Sequence, residues 1–278
     1  MNKYLALILL TAFSIGFLTS CKKDNKEDPP VLPPAESMII DFSNFEAGKK
    51  SDPELVYPKG TQKSNWEFAA GNAIIWKAII YTTLAVPVKS YQLAINKDPE
   101  YIDDKTWQWS YDASIVIDQI SVTYKARLTG QIRTDDVLWK MYISKEGTGA
   151  FAEFVWFEGT SKLDGTGGQW KLNQSAQNKV PILQIDWTKN GNSVGMVKYT
   201  YIKTGDPFKD SYIEYGLTTN TLNAYYAIHY YDPGYLQFYD LNVEWNTTAH
   251  NGRVKCLGHF GNSDWYCWDG NYNNIICP

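Results

Sequence analysis

Histidine, cysteine and methionine are scarce in this chain: three, four and four among 278 residues. The histidines, His229, His250 and His259, show neither metal-ligand spacing nor a His-Glu-x-x-His pair, so no metal centre is expected. Positive charge is not in excess either. With 26 Lys and Arg against 30 Asp and Glu, the net charge is −4, which excludes the basic stripe that nucleic acid requires. There is no Gly-x-Ser-x-Gly elbow, no Gly-rich phosphate loop and no EF-hand pattern. The Gly-rich stretch 164–168 holds one acid and no base, and reads as a hairpin turn. No cofactor is implied by any of this.

What is present begins with an address. Lys3, an apolar run from Leu5 to Leu18, then Thr19 and Ser20 before Cys21 form a secretory signal over residues 1–20. The run is too short to span a membrane and is interrupted by Thr11 and Ser14. Leu18-Thr19-Ser20-Cys21 resembles the lipobox of bacterial lipoproteins, which implies cleavage before Cys21 and lipidation of that cysteine. Two or more acyl chains give stable anchoring. Residues 21–36 then read as a lipidated cysteine and a solvated tether, with charges of both signs followed by Pro29, Pro30, Pro33 and Pro34. At about 3.1 Å per residue in polyproline II, such a tether reaches roughly 45 Å. Cys21, Lys22, Lys23, Asp24, Glu27 and Asp28 resemble the surface-export signal of Bacteroidota lipoproteins. That resemblance implies the outer membrane and points to surface exposure.

Residues 37–278 remain for a single β-rich domain, large enough to bury a core without a metal or disulfide framework. Eleven Trp and 20 Tyr make it aromatic-rich. From Trp107 onward, short alternating runs are separated by turn residues. In 120–129, Ile120, Val122, Tyr124, Ala126 and Leu128 share one face and polar residues the other, the period of a strand with one wet side. Similar runs cover 137–144, 151–158, 169–173, 182–187, 194–203, 212–217, 224–231, 235–245 and 253–260. Asn190-Gly191 and Asn251-Gly252 supply two-residue hairpin turns; Asp164-Gly165 and Asp232-Pro233-Gly234 serve longer ones. About ten strands in antiparallel up-and-down order should curl and close into a calycin- or lipocalin-like barrel, since closure removes edges. The apolar parity switches between Phe238 and Leu241, which predicts a bulge near Tyr239 and Asp240.

Upstream, Ser64 and Glu67 have the spacing of a capping box, opening a helix that runs to Leu84 and is apolar on almost every side. Such a helix has to be buried. Pro87 either stops it or opens a second short helix through Ala94. A helical hairpin packed on, or plugging, one end of the barrel follows; the competing reading is a strand over 79–88, which is rich in β-branched residues.

Val86-Pro87-Val88, the segment Phe154-Val155-Trp156-Phe157-Glu158-Gly159 leading to Asp164-Gly165, and the tail Trp265-Tyr266-Cys267-Trp268-Asp269 ending in Cys277 resemble a group of Bacteroidota lipoproteins. The likeness covers most of residues 65–278 and implies no particular activity.

Cys256, Cys267 and Cys277 follow the anchor cysteine into a compartment that permits disulfides. A hairpin around Gly261–Asp264 sets Cys267 opposite Gly258, so its expected partner is Cys277, and Cys256 is left as a buried free thiol. A catalytic thiol would have His259 as its nearest base. Glu153, Glu158, Asp186, Glu214 and Glu244 lie in strands, where a carboxylate on the wet face is ordinary and a catalytic pair would need a separation of roughly 5–9.5 Å. The favoured function is a non-catalytic domain binding a small hydrophobic molecule or a glycan through Trp139, Trp156, Trp187, Tyr199, Tyr201, Tyr226 and Tyr230. The alternatives are a structural or assembly lipoprotein that binds other envelope proteins, and a carboxylate-dependent hydrolase. Oligomeric state is not legible.

Overall fold

The structure, a computed structural model, describes residues 28–46, 62–117, 120–191 and 193–278. The signal segment, Cys21 and the first half of the tether lie outside the described residues.

Period-two alternation builds most of the chain into one antiparallel sheet. Its strands are β1 (Glu100–Tyr101), β2 (Thr106–Ile117), β3 (Ile120–Ile132), β4 (Asp136–Lys145), β5 (Phe151–Lys162), β6 (Gly167–Asn173), β7 (Pro181–Asn190), β8 (Ser193–Tyr201), β9 (Tyr212–Leu217), β10 (Ala224–Asp232), β11 (Gln237–Trp245), β12 (Gly252–Cys256), β13 (Tyr266–Trp268) and β14 (Asn274–Ile275). Each pairs with the next in chain order. Every strand expected between residues 120 and 245 forms, with its ends moved by a few residues. In β3, Tyr124, Ala126 and Leu128 are buried as the alternation requires.

The expected barrel closure is not made, because β1 and β14 end the ladder without pairing to each other. A helix takes that place. α1 (Ser64–Ala94) packs on β2 and β3 at one end of the sheet and on β12, β13 and β14 at the other, so the sheet curls around and meets itself through the helix. Both terminal strands are only two residues long, which leaves little unpaired edge.

α1 is one bent helix, not the expected hairpin, and not a strand over 79–88. Its legs, Ser64–Tyr81 and Thr83–Ala94, are inclined by 66°. Pro87 explains the bend: it has no N–H for the Thr83 carbonyl and its ring crowds that group. Nor is Ser64 the N-cap. The N-cap is Lys63, and the Ser64 hydroxyl is used by the C-terminal tail, accepting from Asn274 Nδ2 at 3.0 Å. Among the described residues no single helix is long and apolar enough to cross a membrane.

The N-terminal segment corrects a second expectation. Pro30 and Pro33 are buried, and 3-10 turns at Ala35–Met38 and Ser43–Phe45 carry Ser37, Met38, Ile40, Phe42 and Phe45 into the core. Aromatic donors hold this segment: Tyr91 Oη to Pro33 O at 2.6 Å, Trp170 Nε1 to Ser37 Oγ at 3.3 Å, Tyr199 Oη to Met38 O at 2.5 Å, and Tyr226 Oη to Asp41 O. Residues 30–36 are thus part of the fold and not a solvated spacer. Together with the second leg of α1, they fill the concave side of the sheet.

Three local expectations also change. β10 and β11 pair in continuous register from Ala224 opposite Trp245 to Asp232 opposite Gln237, so there is no bulge at Tyr239 or Asp240. The parity switch arises because Phe238 faces solvent, 39% exposed. Asn251-Gly252 is not a two-residue turn: the loop spans Asn246 to Asn251, with the positive φ at His250. Gly252 is instead required in β12, where a Cβ would lie 2.4 Å from Trp268 and 2.5 Å from the Glu244 carbonyl. The stretch expected as a strand to Phe260 ends at Cys256 and turns into α2 (Leu257–Phe260).

Candidate functional site: an apolar groove beside the bent helix

A helix apolar on all sides has more hydrophobic surface than one packing face can cover. The ends of α1 are buried through Trp66, Phe68, Leu84 and Tyr91, but its central turns are not. Ile75 is 37% exposed, Ile79 51% and Tyr81 62%, contrary to the expectation of a wholly buried helix. These turns flank a groove of about 500 Å³. Asn72, Ile75, Trp76, Ile79, Ile80 and Thr83 form its helical wall. Ile182 and Leu183 of β7, Tyr199 and Tyr201 of β8, Phe208 and Ser211 of the following loop, and Tyr230 and Tyr231 of β10 form the other. The volume falls in the range that holds small molecules.

Among the described residues no charged side chain lines this groove, and several of its polar groups are engaged with the protein. Asn72 Nδ2 donates to Phe68 O at 2.9 Å, Thr83 Oγ1 to Ile79 O at 2.8 Å, and Tyr201 Oη to Asp206 Oδ2 at 3.0 Å. Ser211 Oγ accepts from the Tyr231 N–H at 3.2 Å, and the Phe208 ring meets the Tyr231 ring edge-on at 5.8 Å. Burial, and then the Asp206 carboxylate, push the Tyr201 phenol up to about 12. Burial raises the Tyr199 and Tyr230 phenols further. Such phenols stay protonated at neutral pH, and those of Tyr199 and Tyr201 already donate to Met38 O and Asp206 Oδ2. The groove suits recognition by apolar contact.

No family model, no curated protein and no solved structure matches this chain. The reading of the site therefore rests on its geometry.

Of the seven aromatic residues expected to bind ligand, Tyr199, Tyr201 and Tyr230 come together here. Tyr199 is fully buried and forms the floor. Trp139, Trp187 and Tyr226 are core: Trp139 Nε1 donates to Ser161 Oγ at 2.9 Å, and the Tyr226 ring packs at a tilt against Phe42, Phe45 and Trp245. Trp156 packs against Phe154 and Phe151, away from the groove. The sequence reading missed Ile75, Trp76, Ile79 and Phe208. The signal was there in α1, whose apolar residues outnumber those that one face can bury.

On the convex side, rings stack on one another. Lys198 lies 3.8 Å from the Tyr212 ring centroid, and Tyr212, His229 and Phe238 stack in a column across β9, β10 and β11. His229 is a hydrogen-bonded wall residue, with Nδ1 2.7 Å from Asp240 Oδ1. The strand carboxylates are separately engaged: Glu153 with Arg127, Glu214 with Lys198 and Tyr225, Glu244 with Arg253, and Asp186 with Gln169 and Gln184. Glu158 sits between Lys140 and Lys171 on the neighbouring strands.

Cys267 and Cys277 are joined, with Cα atoms 5.1 Å apart, and Cys256 is a buried free thiol. The residue opposite Cys267 is Arg253, not Gly258. Burial pushes the Cys256 thiol up, away from the reactive thiolate. His259 stacks on Phe68 at 3.8 Å. Among the described residues no three His, Cys, Asp or Glu side chains gather as a metal site.

Proposed function

We propose that this chain is an envelope lipoprotein, anchored in the outer membrane through Cys21, whose domain holds a small apolar molecule in the groove between α1 and β7–β10. One observation carries the reading. Ile75, Ile79 and Phe208 stay exposed around a concave volume of about 500 Å³, where a chain with no ligand to accommodate would have gained by collapsing. Burying apolar area is worth about 25 cal/mol per Å², and the lining has no free charge to oppose it. Because Pro30 and Pro33 are buried, the solvated tether expected over residues 21–36 runs no further than Pro29 in this reading.

Native mass spectrometry of the chain carrying Cys21→Ser, purified from its own host, tests the groove. The expected result is an apolar adduct that is lost on unfolding and absent from an Ile79→Glu, Phe208→Ala variant that still folds. A clean protein mass, with no uptake of a fluorescent apolar probe, would sink the reading. Incorporation of labelled fatty acid into the wild-type chain and not into Cys21→Ser tests the anchor separately.

A further inference from the structure

α1 has a second apolar groove on its other flank, and this one differs in charge. It encloses about 510 Å³. Met38, Ile40 and Phe42 of the N-terminal segment, Leu84 and Val88 of the second helical leg, and Ile115 of β2 supply its floor. Ile80 lines both grooves, so the helix is the partition between them. Two lysines stand at the rim of the second groove, Lys77 and Lys89. Lys77 is neutralised by Glu46. Lys89 is exposed and, among the described residues, has neither an ion pair nor a hydrogen-bond partner. Among the described residues no carboxylate lines the groove, and the one uncompensated charge in its lining is positive.

From this pairing of an apolar floor with a single free cation at the rim, we propose that the second groove binds a single-chain amphiphile with an anionic head. The aliphatic chain lies along Ile40, Leu84, Val88 and Ile115, and the head meets the Lys89 ammonium. The ligand is a monomer taken from solution. A bilayer surface would find one free lysine beside a recessed floor, where stable adsorption calls for a polybasic patch. A charge-assisted hydrogen bond to the Lys89 ammonium accounts for about a tenfold preference for the charged head.

The test uses the Cys21→Ser chain with hexadecanoate and hexadecanol, by titration calorimetry or competition with a fluorescent fatty acid. Hexadecanoate is expected to bind about tenfold more tightly than hexadecanol. Lys89→Gln, a substitution at an exposed position, should remove that preference and leave hexadecanol unchanged. Val88→Trp, which fills the groove, should abolish both, whereas Phe208→Ala in the first groove should alter neither. The proposal is overturned by no binding of hexadecanoate, by equal loss of both ligands in Lys89→Gln, or by loss in Phe208→Ala with Val88→Trp silent. It is also overturned if the chain sediments with phosphatidylglycerol vesicles but takes up no free hexadecanoate. Either groove can fail while the other stands, since the two sets of substitutions do not overlap.

Discussion

The Tyr199 hydroxyl donates to the Met38 carbonyl at 2.5 Å, joining the middle of β8 to a segment 161 residues earlier in the chain. Both groups are buried, so neither can turn to water. Tyr199→Phe therefore leaves a buried acceptor unpaired and is expected to cost about 1–3 kcal/mol, read as a lowered urea midpoint with an unchanged slope. Removing residues 28–36 should destabilise by a similar route, since Tyr91 then loses the Pro33 carbonyl. A chain that starts at residue 37 and unfolds at the same midpoint as one that starts at 28 would contradict the packing described for this segment.

High pH should weaken the fold through its phenols. Burial raises Tyr91, Tyr111, Tyr199, Tyr215 and Tyr226, with Tyr215 at about 12. The sign follows from linkage. A phenol whose folded value is raised holds its proton in the native state after the unfolded chain has lost its own, near pH 10. The stabilisation is complete below about pH 10 and falls as pH rises from there toward the folded values, by at most about 1.4 kcal/mol per pH unit for each such phenol. Urea midpoints measured from pH 9 to about pH 11, alongside tyrosinate absorbance, should show a steep loss of stability before the buried phenols ionise.

Cys267–Cys277 closes a small loop, and breaking it should cost roughly 2–3 kcal/mol. The loop has a second duty. Its Asn274 holds the start of α1, accepting from the Asn65 N–H at 3.1 Å and donating to Ser64 Oγ. In a Cys267→Ser, Cys277→Ser chain, amide exchange should therefore accelerate at the first turn of α1 and change little in β7 and β8. Uniform acceleration would mean that the tail contributes only global stability.

Gly159 has no room for a methyl group. A Cβ there would sit 2.1 Å from the Gln169 carbonyl oxygen and 2.6 Å from the Trp170 ring. Gly159→Ala should force β5 and β6 apart at a cost of about 1–3 kcal/mol, whereas Gly147→Ala, in open space at φ +74°, should cost less, about 1 kcal/mol. Thermal melts of the two variants make the comparison.

How much of this was legible depended on whether the cause was local. The alternation of Tyr124, Ala126 and Leu128 with charged neighbours is a property of consecutive residues, and it placed β3 and its face correctly. The pairing of Cys267 with Cys277 was read from a hairpin register that set Cys267 opposite Gly258; the register is different, with Arg253 opposite, but it too keeps Cys267 from facing Cys256, so the pairing stands. Met38, Ile40, Phe42 and Phe45 were not read as core because they are few and follow a proline-rich, charged stretch. Their burial depends on the hydroxyls of Tyr199 and Tyr226, more than 150 residues away. Phe238 misled in the opposite way: an aromatic on the wet face of β11 mimics the parity change of a bulge. In the site, Tyr199, Tyr201 and Tyr230 were found through their strands, but the wall opposite them was assigned to the core because an apolar helix is ordinarily covered.

The meander also sets an order of events. Each hairpin joins neighbours in the chain, so β2 to β12 can zip up locally as the polypeptide emerges. α1 is made before any of them, yet its first turn finds its partners only 202 and 209 residues later, at Cys267 and Asn274. Contacts so distant along the chain form slowly. Docking of that first turn therefore waits for the tail, and a nascent chain stalled before Cys267 should keep protected hairpins while the first turn of α1 stays open to protease. The hydrophobic helix most in need of cover is thus the element whose first turn waits longest for its partners.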